Sequence, residues 1–464
     1  MNSTRSVSAR TLSAGIVILA GAVFLSGLGA DPRPLSPREA VSAALSSDAR
    51  VESATYDWLA AQTKAREAGL RKLPSLSLGA GYTRLSHVDS SISFSGLTFA
   101  LPSLDDSFQL SASLQYPLFT GFRVEESAKL AEVQAQGKGI AAEMIRRSII
   151  FEAQRVYWET QRSTLNVGML KESLALAAQN LEVTRQQLAH GSAMNADLLT
   201  AQMRYDQAAM DLGAGTAAQK QAFWTLASLV EGSRGTDLTQ WAAADPETTF
   251  ALTAKPEPVP DSRFPTLIEA ELIGRALANR PETRAASLIS ASAEIGRKIA
   301  EAPLYPTVSI TGGYLFADPN PRVPFQTDPW TFTGTWSLGL ALSYDLGGLP
   351  ANLAARDAQG QAVEKNRADE RHQKEAVVLD VRASLLAFQQ TRRDYVLVSG
   401  MIDQARENER VTEEKVAAGT ASELDFLGAR TARLKVEFAI TNKLIDQQVA
   451  AADLERAAAL APLD

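Results

Sequence analysis

Twenty prolines are scattered through this chain of 464 residues, yet none falls between Leu118 and Asp245 or between Ala351 and Ala461. Proline breaks helix interiors, and both tracts are rich in Ala, Leu, Glu, Gln, Lys and Arg, the residues that favour helix. Near the middle of each tract the same short motif appears. It reads GSAMNADLLTA at Gly191–Ala201 and GTASELDFLGA at Gly419–Ala429, an offset of 419 − 191 = 228. A glycine in the left-handed conformation ends a helix without steric cost, and a polar residue followed by an acidic first turn starts the next. Each motif therefore reads as the turn of a long helical hairpin.

The first hairpin's ascending arm spans about Val124 to His190, which at 1.5 Å per residue is roughly 100 Å of helix. Leu170, Leu174, Ala177, Leu181, Thr184 and Leu188 step by four and three, the seam of a coiled coil. At the turn, Asn195 is the expected N-cap and Asp197 stands in the first helical turn, where the dipole favours negative charge.

The repetition extends beyond the turn. At the offset of 228, Asn180, Val183, Thr184 and Ala189 meet Asn408, Val411, Thr412 and Ala417. Upstream, LPSLSLGAGY (Leu73–Tyr82) resembles YPTVSITGGY (Tyr305–Tyr314), and LQYPLFTG resembles LSYDLGGL. The chain divides into a first repeat over 31–245, a linker over 246–265 and a second repeat over 266–464.

Each repeat contains two strictly alternating segments, at about 75–85 and 107–119, then at about 307–316 and 332–344. In SFQLSASLQYPLF, Phe108, Leu110, Ala112, Leu114, Tyr116 and Leu118 share one face; serines and glutamines hold the other. Strands of about ten residues with one apolar and one small, uncharged face have the dimensions of a transmembrane β-barrel. A half-buried antiparallel sheet alternates too, but the near absence of charge and the recurring aromatics Tyr82, Tyr116, Tyr314, Trp336 and Tyr344 favour the barrel. Four strands cannot close alone, so spanning strands require several copies sharing one barrel. The stretches Ser86–Asp106 and Ala317–Thr331 are the expected outer loops.

Arg5 and Arg10, the apolar run Leu12–Ala30 and the polar DPRPLSP describe a secretory signal peptide over 1–30, with a retained membrane anchor as the other reading. No later segment approaches ~18 consecutive apolar residues, so helical spans are not expected. The net charge of −7 gives no basic face for nucleic acid. Absence of cysteine excludes disulfides, thiolate metal sites and a lipidated cysteine. His87, His190 and His372 lack metal-ligand spacing, and no phosphate loop is present. No enzyme, cofactor or metal is expected.

In its order of strands, long helices and a doubled Gly-x5-Asp turn, essentially the whole mature chain resembles the TolC-type outer membrane efflux proteins. The resemblance implies a homotrimer, with four strands per subunit forming a twelve-stranded outer-membrane β-barrel in outer-membrane lipid, above an α-barrel of antiparallel coiled-coil hairpins. It implies a passive conduit of a tripartite efflux or type I secretion system, gated at its periplasmic tips. A periplasmic adaptor and an inner-membrane transporter would be its partners.

Carried over by position, Asp197 and Asp425, with Asn195 and Glu423, become the candidate gate, because a ring of carboxylates repeated around an axis favours cations. Simple helix N-terminal chemistry is the other reading of both aspartates. Gly191, Ala193, Leu198, Leu199, Gly419, Ala421, Phe426 and Leu427 become the candidate adaptor contacts, although they could equally serve only to close the hairpins. Where some relatives carry a tip aspartate, arginine and tyrosine, this chain has Gly428, Ala421 and Val416, so its closed state is expected to be latched differently. The rival architecture is a periplasmic coiled-coil scaffold without a pore. Two hairpins at one offset, with uncharged strands between them, favour the channel.

Overall fold

A computed structural model describes residues 33–87, 90–101, 105–232, 250–264, 268–323 and 331–460. The expected signal peptide lies outside the described residues. Strand β1 (Arg33–Leu35) leads into helices α1 (Pro37–Ser47) and α2 (Ala49–Leu70). Ser36 caps α1 in a full capping box with Glu39, and Pro37 occupies the first turn, where its missing N–H costs nothing. Strands β2 (Ser75–Arg84), β3 (Ser90–Phe94), β4 (Leu97–Leu101) and β5 (Asp106–Phe119) follow. Helix α3 (Arg123–Ala189) and helix α4 (Asn195–Val230) form the first hairpin.

After β6 (Phe250–Leu252), the second repeat runs through α5 (Glu269–Asn279) and α6 (Pro281–Glu301) to β7 (Thr307–Asp318) and β8 (Thr333–Ser343). Helices α7 (Leu349–Ala417) and α8 (Glu423–Ala457) close it as the second hairpin. Helix α3 has 67 residues and α7 has 69, each roughly 100 Å long.

The four long strands form one antiparallel sheet in the order β2-β5-β7-β8. Their register aligns the apolar faces: Leu78 pairs with Ala112, Ala112 with Tyr314, and Tyr314 with Trp336. The small faces align likewise, with Ser77 opposite Ser113 and their hydroxyls 2.6 Å apart. A bulge between Pro117 and Phe119 skips Leu118, expected to continue the apolar row, and puts Phe119 in its place opposite Val308.

Two features depart from the sequence reading. The expected outer loop 86–106 contains the β3–β4 hairpin, and part of the expected linker is ordered as β6, which pairs in parallel with β1. The reason for the second is local: Tyr157 on α3 is fully buried, donates its hydroxyl to the Leu35 carbonyl and accepts from the Ala254 N–H. A buried phenol needs such partners, and these anchor both short strands to the helix.

The core has two parts, and the 228-residue offset links them. One gathers Ile149, Ala153 and Tyr157 of α3 with Leu226, Val230, Leu35 and Phe250. The other gathers Val377, Val381, Leu385 and Phe388 of α7 with Phe264, Leu272, Ala451 and Leu454. Ile149, Ala153 and Tyr157 are the repeat-mates of Val377, Val381 and Leu385. Each long helix is thus gripped midway along its length by its own repeat's terminal elements, with Ile445 of α8 joining the first core as well.

Candidate pore wall and gate

At the sheet, the apolar face is bare in the single chain. Leu78, Leu338, Leu340, Leu342 and Trp336 are each 68–80% exposed, and Tyr82 and Tyr314 exceed half. A contiguous patch of this kind on a folded chain marks a surface made for another apolar phase. Its two ends are marked by rings. Near the outer loops, Tyr82 lies 4.7 Å from Phe108, and Phe332 stacks on Phe316 at 5.3 Å. At the helical end, Phe122 meets Phe119 at 5.3 Å and Tyr305 at 6.2 Å, edge to face.

From Phe108 to Phe119 the strand rises about 37 Å, which at the usual barrel tilt is roughly 28 Å along the membrane normal. That matches the ~25 Å apolar band between the aromatic girdles of outer-membrane barrels. Gly121 and Phe122 both take positive φ, at 62° and 67°, where strand turns into α3. A side chain at Gly121 would come within 2.3 Å of the Ala302 carbonyl oxygen, so only glycine permits this junction. The Phe119–Phe122–Tyr305 cluster was not foreseen, because Phe122 reaches it only through that left-handed turn.

At the opposite end, the two hairpin turns are built alike. Gly191 and Gly419 have φ of 74° and 71°. The Ser192 N–H reaches the Gln187 carbonyl at 2.8 Å, and the Thr420 N–H reaches Lys415 at 2.8 Å, the long hydrogen bond of a Schellman stop. The Ser192 and Thr420 hydroxyls donate to those same carbonyls. Asp197 accepts from the Met194 N–H at 2.8 Å, and Asp425 accepts from the Ser422 N–H at 2.9 Å.

Asn195 is not the N-cap as expected: Met194 is, and Asn195 is the first residue within the helix. The cap position is set by which residue keeps extended backbone, and that is Met194 with ψ of 158°. Ser422 is a true cap, its hydroxyl accepting from the Asp425 N–H at 3.2 Å. Hydrogen bonds from the Ser422 hydroxyl and N–H hold the Asp425 carboxyl below its ordinary value.

Asp197 and Asp425 are both exposed at the tips, as are Gly191, Asn195, Leu199, Gly419 and Gly428. Ala193, Leu198, Val416, Ala421, Glu423 and Phe426 are half-buried. Leu427 differs from expectation as a docking contact: it is 2% exposed, whereas its repeat-mate Leu199 is 66% exposed. Leu427 packs with Leu434 of its own helix and with Leu176 of α3, with Met169 alongside. Leu176 lies off the α3 seam read from the sequence. That seam faces α4, where a side chain on Gly215 would come within 2.4 Å of Leu170. Leu176 points another way and binds the second hairpin. Arg430 extends the contact towards Glu172, 3.7 Å away. Sequence periodicity could not reveal this clasp, because it joins residues 251 positions apart (427 − 176) on different hairpins.

A sheet charged only at its strand ends, by Arg84, Asp106 and Asp318, with a lipid-like outer face and rooted on paired hairpins of roughly 100 Å, has the form of an outer-membrane channel protein. The chain belongs to the outer membrane efflux protein family, whose model matches residues 40–232 and 272–460, one match per repeat. Its fold is that of solved channels. The CmeC outer membrane channel of Campylobacter jejuni superposes with a TM-score of 0.74 at 14% identity, over 91% of this chain and 85% of that one. A membrane protein from Pseudomonas aeruginosa gives 0.72 at 19% identity, over 91% and 93%. The outer membrane protein VceC of Vibrio cholerae gives 0.70 at 18% identity, over 91% and 95%. No curated protein matches the chain. The family assignment makes this an efflux channel of the outer membrane, and the structural likenesses agree with the two-repeat architecture of helical barrel plus strands.

Proposed function

We propose that three copies of the chain form one channel, a passive conduit that carries small molecules or secreted proteins across the periplasm and outer membrane. The observation that carries this reading is the bare, in-register apolar face of a sheet whose outermost strands, β2 and β8, each leave one edge unpaired. Bilayers do not tolerate open edges. Strands β2 and β8 run in opposite directions, so β8 of one copy can pair antiparallel with β2 of the next. Three copies give twelve strands, and at usual tilt a backbone diameter of roughly 24 Å. Most inward residues are small, such as Ser77, Gly79, Gly81, Ser111, Ser113, Thr311, Gly313, Ser337 and Gly339, with Gln109, Gln115 and Leu315 the larger ones among them. Such a wall leaves a water-filled lumen.

Six hairpin tips would then converge on one axis at the periplasmic end. Asp197 and Asp425, with Asn195 and Glu423, form the gate ring. Gly191, Ala193, Leu198, Leu199, Gly419, Ala421 and Phe426 offer grooves to the helical tip of a periplasmic adaptor, itself docked to an inner-membrane transporter that supplies the energy. Opening is a sliding of the second hairpin away from the first, which draws Leu427 off Leu176.

Native mass in mild detergent and conductance in planar bilayers test the reading together. A trimer with water-filled conductance is expected, with weaker cation preference in Asp425→Ala. A non-conducting monomer would refute the channel, and an unchanged ion selectivity would refute the carboxylate ring alone.

A further inference from the structure

Midway along the first long helix, a cavity of about 810 Å³ opens between α3, the α5–α6 junction and the end of α8. It lies away from both the sheet and the hairpin tips. Its floor is apolar, with Ile150 and Phe151 of α3 and Leu460 just beyond α8. Its rim is cationic: Arg146 and Arg147 of α3 and Arg284 of α6 line it around the Glu143 carboxylate.

The charges there do not balance. Glu143 already holds Arg147 at 2.8 Å and Arg284 at 2.9 Å. Arg146 has no ion-pair partner among the described residues. The remaining charged residues in the wall are neutralised by groups outside it: Glu455 is bound by Arg263 at 2.8 Å, and Arg456 by Asp380 and Asp453 at 3.2 and 2.8 Å. Three guanidiniums against one carboxylate leave an excess of about two positive charges beside an aromatic floor.

We propose that this cavity binds an amphipathic organic anion, its carboxylate, sulfonate or phosphate on Arg146 and Arg284 and its apolar body on Phe151 and Ile150. Guanidiniums offer paired donors to such oxyanions, and the volume is that of a drug-sized ligand site. The ligand comes from the aqueous periplasm and not from the bilayer. Residues 143–154 lie some 20 to 31 positions below the start of α3, roughly 30–45 Å of helix away from the sheet. Because the site spans both repeats, its occupant holds α3 against α6 and α8.

The test is equilibrium dialysis of 8-anilinonaphthalene-1-sulfonate against the purified channel in non-ionic micelles, with protein-free micelles as blank. Saturable binding of one probe per chain is expected. Arg146→Ala should weaken it about tenfold, as loss of one charge-assisted contact does, and Ala278→Trp should abolish it by filling the cavity. Arg146 and Ala278 are exposed and lie outside the gate and the sheet, so both variants should keep normal conductance, which verifies their folding. Arg66→Ala, on the exposed face of α2, should bind as the unaltered channel does. No binding above the blank, or equal binding by Arg146→Ala and Ala278→Trp, overturns the proposal.

Discussion

Replacing Leu427 with alanine separates the two hairpins energetically, because the repeat supplies its own control. Leu427 is 2% exposed and closes a small cluster with Leu176 and Leu434, themselves 5% and 6% exposed. Truncating a buried leucine costs its transfer free energy plus a cavity term, typically 2–5 kcal/mol. The cluster is small and close to a turn that can settle, so about 3 kcal/mol is the expected loss. That free energy belongs to the docking of α8 on α3 rather than to the whole fold. It should appear as local opening, with amide exchange over the first turns of α8 accelerated roughly 100-fold. Exchange in the two midway cores should not change.

Leu199→Ala, the equivalent change in the first hairpin, touches a residue 66% exposed in the chain and should leave α8 protection untouched. Hydrogen–deuterium exchange of both variants, read peptide by peptide, decides the matter. Unaltered α8 protection in Leu427→Ala, or an equal effect from Leu199→Ala, would refute the clasp.

Other perturbations probe the remaining parts of the argument. Ser422→Ala should lower thermal stability by about 1 kcal/mol through loss of a cap hydroxyl, whereas Met194→Ser should raise it by supplying the one its repeat-mate has; calorimetry of both checks this. Leu338→Lys, at the middle of the outward face of β8, should cost about 2–4 kcal/mol of barrel stability in lipid. Its neighbour Ser337→Lys faces the other way and should instead alter ion selectivity, and equal destabilisation by the two would refute the assigned faces. Asp380→Asn strips a partner from Arg280, whose side chain is 7% exposed, and should cost about 2–3 kcal/mol by urea unfolding.

Burial pushes the Asp380 carboxyl up, but hydrogen bonds from Arg456 and Arg280 outweigh it and hold the group below its ordinary value. Its stabilisation is therefore complete at neutral pH and fades as pH falls below about 4, towards its lowered folded value. Asp380→Asn should flatten that acid limb, and an unchanged acid limb would show that the pair contributes nothing.

Much of the architecture was legible because it is written in periodicity. Proline-free tracts gave helices of the right length, and alternation gave β2, β5, β7 and β8 within two residues of their observed ends. The turn glycines gave both tips. What was not legible depends on contacts far apart in sequence. The strand β6 exists because Tyr157 holds it. The cap at Met194 follows from backbone conformation, which a methionine does not advertise. The environments of Leu199 and Leu427 are opposite, although their local sequences match.

By itself, then, the sequence determined the elements, their duplication and the two-faced strands, since these follow from local propensity and from the periods of helix and strand. Tertiary structure alone decided which repeat-mate is buried, which arginine beside the midway cavity has no ion-pair partner among the described residues, and how aromatic residues gather at both ends of the sheet. Those outcomes depend on how two similar hairpins pack against each other, and two copies of one motif cannot both occupy the same side of the same helix.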